Sequence, residues 1–164
     1  MHGFVPPEEE RLRERSRALA QAFRVLVPGG RLFLVQSDPW QNAANVLWSR
    51  YFPQALETKL AIQPKSQDLM GHLVQAGFAQ ADSWTFRDYE TRPVFSPELA
   101  LRDEFLPVYS EFSYLTAENL EAGRELLRGD MECGKLPELV AESRAAYESR
   151  GGNFTAIWAR KVSL

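Results

Sequence analysis

The chain has 164 residues, of which 45% are hydrophobic and 25% are charged. This length fits a single domain, residues 1–164, and this composition excludes wholesale disorder and collagen-like structure. The net charge of -3 gives no electrostatic argument for a nucleic-acid partner. No segment approaches the ~20 apolar residues of a membrane span, and the N-terminus lacks the apolar run of a signal peptide. We therefore expect a cytoplasmic protein without a membrane partner.

Residues that commonly bind metals are scarce. The chain has one cysteine, Cys133, and two histidines, His2 and His72. A lone cysteine excludes an intrachain disulfide and a zinc site built from thiolates. Two histidines are too few for a histidine-rich cluster, so we expect no metal site.

The first predicted unit is a helix, a glycine turn and a strand. Pro7 and the glutamates after it favour a helix start, and Pro28-Gly29-Gly30 ends the helix. The arginines of residues 11–17 interleave with glutamates, which indicates a solvated helix face rather than a phosphate-binding patch. In the following strand, residues 31–38, the apolar run Leu32–Val35 is continuous. Such a run is typical of a parallel strand that helices cover on both faces.

The rest of the chain is predicted to be mostly helical. One helical stretch covers about residues 40–61, and Ser66 is a good N-cap for the next helix. A strand over 80–95 follows, and a helical insertion over about 96–150 precedes a final strand at 154–159. The fold class is therefore α/β, with about three strands. Three strands are few for such a sheet, so we expect either a missing part or a free edge.

Three phrases in the chain resemble class I S-adenosylmethionine (SAM)-dependent methyltransferases. Residues 24–30, Arg-Val-Leu-Val-Pro-Gly-Gly, are similar to the helix end and turn before the family's fifth strand, and Leu32–Leu34 to that strand. Leu73–Phe78 resembles the helix end before the sixth strand, and Gly152–Lys161 resembles the seventh strand. The resemblance implies a partial Rossmann-like methyltransferase sheet. It covers nearly all of this chain but only the C-terminal half of the family's domain.

The family's cofactor half has no counterpart in this sequence. In that family a Gly-rich loop after the first strand approaches SAM, and an acidic residue ending the second strand binds its ribose. Here no two of the ten glycines are separated by a single residue, and Met1–Val5 resembles the stretch just past the fourth strand. We therefore expect that this chain alone binds no cofactor, although the resemblance implies SAM. The resemblance would place His2 near the cofactor pocket as a general base, but chain ends are disordered by default, so no catalytic residue is assigned.

Candidate substrate-pocket residues fall into two groups. Ser37, Asp38 and Trp40 follow a strand, and ligands of open α/β sheets bind beyond the carboxyl ends of strands. The alternative for Asp38 is that it forms a turn and caps the next helix. The second group is aromatic, and it either lines an apolar acceptor pocket or packs in the core. Its members are Trp48, Tyr51, Phe52, Tyr109, Phe112 and Tyr114.

Two functions are compatible with these patterns. The first is the substrate-side half of a SAM-dependent methyltransferase acting on a small molecule, not catalytic without a missing N-terminal half. Methyl transfer depends on the alignment of the acceptor with the methyl carbon more than on acid-base groups. The small number of candidate catalytic residues therefore agrees with this function. The alternative is a non-catalytic binding or interaction module that forms a homodimer through its sheet edge. An enzyme with an unrelated site in the aromatic pocket has less support, because no catalytic constellation is visible.

Overall fold

The structure of the chain is a computed structural model that describes residues 5–42, 47–86, 96–104, 110–149 and 154–162. Its elements in chain order are α1 (Glu8–Val25), β1 (Arg31–Ser37), α2 (Pro39–Asn42), α3 (Trp48–Tyr51), α4 (Pro53–Ile62), α5 (Ser66–Gln75), β2 (Gln80–Phe86), two 3₁₀ helices (Pro97–Leu101 and Ser110–Tyr114), α6 (Ala117–Glu132), α7 (Leu136–Ser149) and β3 (Phe154–Arg160). Within these ranges, none of the helices combines the length and the apolar character that a membrane crossing requires. The α/β class and the three strands agree with the sequence prediction.

The sheet has the order β1-β3-β2, so the last strand along the chain lies in the middle. Both outer strands run antiparallel to β3, with Ser37 and Phe86 each opposite Phe154. The parallel pairing predicted for β1 is therefore wrong. The reason is topological: the neighbour of β1 is β3, which enters the sheet from the opposite direction after the helices.

The prediction that β1 is buried on both faces is also wrong. Its burial alternates along the strand, because Leu32 and Leu34 pack into the core while Phe33 and Val35 are 57% and 60% exposed. The core beneath β1 is formed with α1 and α5, so the described helices cover this strand on one face. Leu32–Val35 is thus a continuous apolar run whose second face is exposed in this chain.

The outward face of the sheet carries an apolar patch beside the charged Arg31 and Asp82, and we call the patch residues Phe33, Val35, Trp84 and Trp158 the open sheet face. The strand register places Phe33 beside Trp158, and it places Val35 and Trp84 on either side of Ala156. Trp84 is 47% exposed. Among the described residues β1 pairs only with β3, so its other edge is free. Soluble proteins rarely expose large contiguous apolar surfaces unless these surfaces bind something.

The turn between α1 and β1 is held by Gly29 and Lys161. Gly29 has a φ of +79°, which glycine adopts without strain, and its amide donates to the carbonyl of Lys161 at 2.8 Å. The Lys161 ammonium donates to the carbonyls of Phe23 and Leu26, each at 2.8 Å. A cation at the C-terminal end of α1 suits the negative end of the helix dipole. The predicted break at Pro28-Gly29-Gly30 is therefore confirmed.

Two apolar clusters hold the fold together. The sheet core lies between the sheet, α1 and α5, and its buried members are Leu19, Leu69, Leu73, Phe78, Ile157 and Ala159. The helical core joins α3, α4, α6 and the two 3₁₀ helices, and its buried members are Leu47, Trp48, Tyr51, Phe52, Ala55, Ala100, Phe112, Leu115 and Leu127. Burial of this kind stabilises by roughly 25 cal/mol per Å² of apolar surface. The segment between β2 and β3 thus contributes much of the second core.

Candidate functional site

A buried polar network lies at the carboxyl end of β1. The Asp38 carboxylate is 2% exposed, and it accepts hydrogen bonds from the Ser66 hydroxyl at 2.6 Å and the Trp40 amide at 3.0 Å. The Gln36 side-chain amide donates to the Ser66 hydroxyl at 3.2 Å and to the Pro64 carbonyl at 3.3 Å. The network therefore ties the strand end to the start of α5.

These contacts show the capping interaction that was one of two predicted roles of the strand end. The hydrogen bond from the Trp40 amide to Asp38 is the contact that the capping alternative requires. The prediction that Ser66 caps α5 is wrong, because Lys65 occupies the cap position and the Ser66 hydroxyl donates to Asp38 instead. The Ser37 carbonyl accepts from the Gln63 side-chain amide. The hydrogen bonds of Ser37 and Asp38 therefore hold the backbone that carries Trp40.

A cleft of about 220 Å³ opens beside this strand end, between α1, α4 and α5. We call it the α1–α5 cleft. Trp40 is 46% exposed at its wall, and its indole N–H donates to the Gln63 carbonyl at 3.2 Å. The Lys65 ammonium lies 4.8 Å from the centroid of the Trp40 ring. The lining residues are Glu8, Arg11, Leu12, Arg15, Trp40, Leu60, Ala61, Ile62, Gln63, Pro64, Lys65, Asp68 and His72.

Two arginines of α1 face this cleft, which the sequence analysis missed. Arg11 and Arg15 are half-buried and line the cleft, while Arg13 and Arg17 are exposed outside it. The prediction of one solvated arginine face is therefore wrong for half of the arginines. The signal that was available is their four-residue spacing on the side of α1 that also carries Leu19. The neighbouring glutamates, Glu8–Glu10 and Glu14, hid this signal.

The aromatic candidates lie elsewhere, in the helical core. Trp48 and Tyr51 are 6% and 2% exposed, so neither faces an open pocket in this structure. The Phe112 ring packs 5.7 Å from that of Trp48 and 5.0 Å from that of Phe52, between centroids. The structure therefore separates the two predicted groups, one around Trp40 and one in the helical core. Tyr109 and His2 lie outside the described residues.

Tyr51 combines burial in the helical core with a polar partner for its hydroxyl. Its hydroxyl donates to Asp130 at 3.2 Å, and the same carboxylate oxygen pairs with Arg50 at 3.3 Å. Burial, the Asp130 charge and this hydrogen bond raise the pKa of Tyr51 to about 12. The arrangement keeps the phenol protonated, so the structure supports a packing role for this residue.

This pKa gives a testable pH dependence. Because the folded-state pKa lies above the ordinary value of about 10, the Tyr51 contribution to stability is complete below pH ~10 and is lost as pH rises towards 12. We expect Tyr51→Phe to lower the free energy of unfolding by about 1 kcal/mol at neutral pH. Urea unfolding between pH 9 and 12 should show a shallower decline for the variant. Parallel curves for the two proteins would contradict the assignment.

Two described features differ from the SAM-binding features that the resemblance implies, the glycine turn before β1 and the acidic residue after it. Gly29 and Gly30 precede a strand, whereas the family's glycine loop follows one. Asp38 is an acidic residue at a strand end, but its carboxylate is buried and already accepts from Ser66 and Trp40. With 2% of its surface exposed, it gives ribose hydroxyls no access in this structure. No group of three or more potential metal ligands occurs in the described ranges either.

Comparisons with known proteins identify the fold. No family model matches the sequence, and no curated protein matches it. Among solved structures, a candidate methyltransferase from an antibiotic biosynthesis pathway of Anabaena variabilis is similar, with a TM-score of 0.71 and 18% identity. The match covers 88% of this chain but 60% of that chain. This chain therefore has a methyltransferase-like α/β fold and spans about three-fifths of the length of the similar structure.

Proposed function

We propose that the chain is the substrate-side half of a SAM-dependent methyltransferase that acts on a small molecule, and that it is not catalytic alone. The observation that carries this proposal is the open sheet face, with Phe33 and Val35 more than half exposed. The similar structure supports it, because two-fifths of that longer chain have no counterpart here. A fold that is completed by further chain explains why an apolar face stays uncovered.

The proposed cover is a cofactor-binding segment that these 164 residues do not contain. It belongs either to sequence outside them or to a separate polypeptide. It pairs a strand with the free edge of β1 and packs against the open sheet face. The unpaired backbone groups of that edge and the exposed apolar side chains are then both covered. The glycine spacing supports this division, because the sequence contains no Gly-x-Gly loop for the cofactor.

In this proposal the methyl acceptor binds at the carboxyl end of β1. Trp40 presents its half-exposed ring there, and Asp38 and Ser37 fix the backbone that carries it. Trp48 and Tyr51 contribute as buried packing in the helical core rather than as a contact surface. The acceptor is therefore proposed to meet the chain near Trp40.

The experiment supplies the missing half in trans. The part of the Anabaena variabilis protein outside the structural match, here the complementing segment, is mixed with the chain, and SAM binding is measured by calorimetry. We expect the mixture to bind SAM saturably, whereas the chain alone and the segment alone do not. Val35→Asp should abolish the effect, because a charge on the open sheet face opposes apolar docking.

Val74→Asp is the matched control. Val74 is 57% exposed on α5, close to the 60% of Val35, but it lies outside the open sheet face. This variant should support SAM binding in the mixture as the parent chain does. Where the two pieces fail to associate, they are fused in one polypeptide and the titration is repeated.

Two outcomes would overturn the proposal. Saturable SAM binding by the chain alone is the first, because the cofactor site would then lie within these residues. The second is a folded mixture or fusion that binds no SAM. A homodimer that Val35→Asp dissociates and Val74→Asp does not, together with this second result, would establish the self-associating module instead.

A further inference from the structure

We propose that the α1–α5 cleft binds a small ligand that carries an oxyanion, a carboxylate or a phosphate, next to a compact apolar body. The proposal does not depend on methyl transfer. The cleft lies on the side of the sheet covered by α1 and α5, away from the open sheet face. Its volume of about 220 Å³ is slightly below the ~300 Å³ at which ordinary small-molecule pockets begin, which limits the ligand to a small metabolite.

The first argument is the concentration of cations. Arg11 and Arg15 lie one helical turn apart on α1, and Lys65 lines the same cleft. Glu8 and Asp68 are the acidic residues among the lining set, so three cations face two carboxylates. Like charges one turn apart on a helix destabilise the free protein, and a bound anion relieves this repulsion.

The second argument is that these cations retain unused binding capacity. The Arg11 guanidinium donates to the carbonyls of Pro6 and Ala61, the latter at 2.7 Å, and neither acceptor neutralises its charge. Within the described ranges, Arg15 forms no hydrogen bond and no ion pair within 4 Å. An arginine with its planar fork free is the side chain best suited to a carboxylate or phosphate.

Electrostatics and burial at Arg15 agree with this geometry. Desolvation and the neighbouring charge of Arg11 lower the pKa of Arg15 from its usual value, while Asp68 raises it by a smaller contribution. A bound oxyanion reverses both unfavourable effects by adding an opposite charge inside the cleft. The charged form of Arg15 is therefore destabilised in the ligand-free protein, and a bound oxyanion stabilises it.

The remaining lining residues specify the rest of the ligand. Leu12, Leu60 and Ile62 provide apolar wall, and the Trp40 ring adds an aromatic surface. His72 lines the cleft, and its Nδ1 atom is buried without a hydrogen-bond partner in the described part of the chain. A small apolar acid fits the guanidinium groups and the apolar wall of this cleft.

The test uses benzoate and inorganic phosphate as probes, at constant ionic strength, with tryptophan fluorescence and calorimetry as readouts. We expect at least one probe to bind saturably with a Kd of about 1 mM or tighter. The two arms distinguish a carboxylate site from a phosphate site. Arg15→Gln should weaken binding about tenfold or more, because it removes the free guanidinium.

Arg13→Gln is the matched control, since Arg13 is exposed on the same helix outside the cleft. It should leave the Kd unchanged. Arg15→Gln should also raise the thermal midpoint of the ligand-free protein by removing the repulsion with Arg11, which shows that the variant folds. Equal weakening by both variants, or a Kd weaker than about 1 mM for both probes, would overturn the proposal. SAM plays no part in this test, so its outcome is separate from that of the complementation experiment.

Discussion

Gly123→Ala is expected to lower the free energy of unfolding by about 3 kcal/mol, the largest single effect we foresee. Gly123 lies in the middle of α6, where the helix passes the backbone of α3. A Cβ atom added there would sit 2.4 Å from Cε1 of Phe52 and 2.5 Å from the carbonyl oxygen of Tyr51. Both neighbours are nearly inaccessible to solvent, so neither side can move away without opening the helical core.

The control for this substitution lies in the same helix. A Cβ added at Gly129 meets no atom within 4 Å, so Gly129→Ala keeps the packing and gains helix propensity. We expect it to raise the free energy of unfolding by about 0.5–1 kcal/mol. Urea unfolding of the two variants and the parent chain measures both effects. Equal changes for the two alanine variants would contradict the close approach of α6 to α3.

Asp38→Ala is expected to lower the free energy of unfolding by about 2 kcal/mol. The variant loses the charge-assisted hydrogen bond from Ser66 and the one from the Trp40 amide, and the buried Ser66 hydroxyl loses its acceptor. Part of this loss is offset because a charge no longer has to be buried. The end of β1 and the position of the Trp40 ring should loosen together, which tryptophan fluorescence reports.

A double-mutant cycle separates this network from general effects of substitution. Ser66→Ala alone should cost about 1 kcal/mol, and the double variant should cost less than the sum of the single variants by a similar amount. The measurement is urea unfolding of the four proteins at neutral pH. Strict additivity would mean that the 2.6 Å contact between the two side chains contributes nothing to stability.

Much of the chain's local structure could be predicted from the sequence, because local chemistry determines it. Thr116 is a residue type that favours helix N-caps, and its hydroxyl accepts from the Asn119 amide at 3.1 Å at the start of α6. The Pro-Gly-Gly turn and the three strands were located for the same reason. The predicted second strand extended to residue 95, and its observed part ends at Phe86, with residues 87–95 outside the described ranges.

Strand β1 shows why pairing and burial were harder to predict. Its run of apolar residues shows that both faces of the strand can pack against apolar surface. It does not show which face another element covers. One side meets α1 and α5, while Phe33 and Val35 on the other side are exposed. A sequence pattern does not show which side chains of a strand stay exposed in the folded chain. The exposure of Phe33 and Val35 makes the strand the principal support for the proposed second half.

The polar contacts of Asp38 and Arg11 could not be predicted from the sequence, for a different reason. Asp38 and Ser66 are 28 residues apart, and Arg11 donates to Ala61 across 50 residues, so neither contact leaves a local sequence signature. Spacing placed Arg11 and Arg15 on one side of α1, but only the packing of α4 and α5 converts that side into a cleft. Long-range contacts of charged groups are therefore where sequence reasoning failed.

Hydrogen exchange along β1 tests most directly whether the open sheet is the docking surface for a cofactor-binding half. In an antiparallel pair, alternate backbone amides of β1 point away from β3, towards the free edge. Addition of the complementing segment should slow exchange of these amides about tenfold or more, while amides of α6 keep their rates. Unchanged exchange across residues 31–37 at saturating segment would contradict the account.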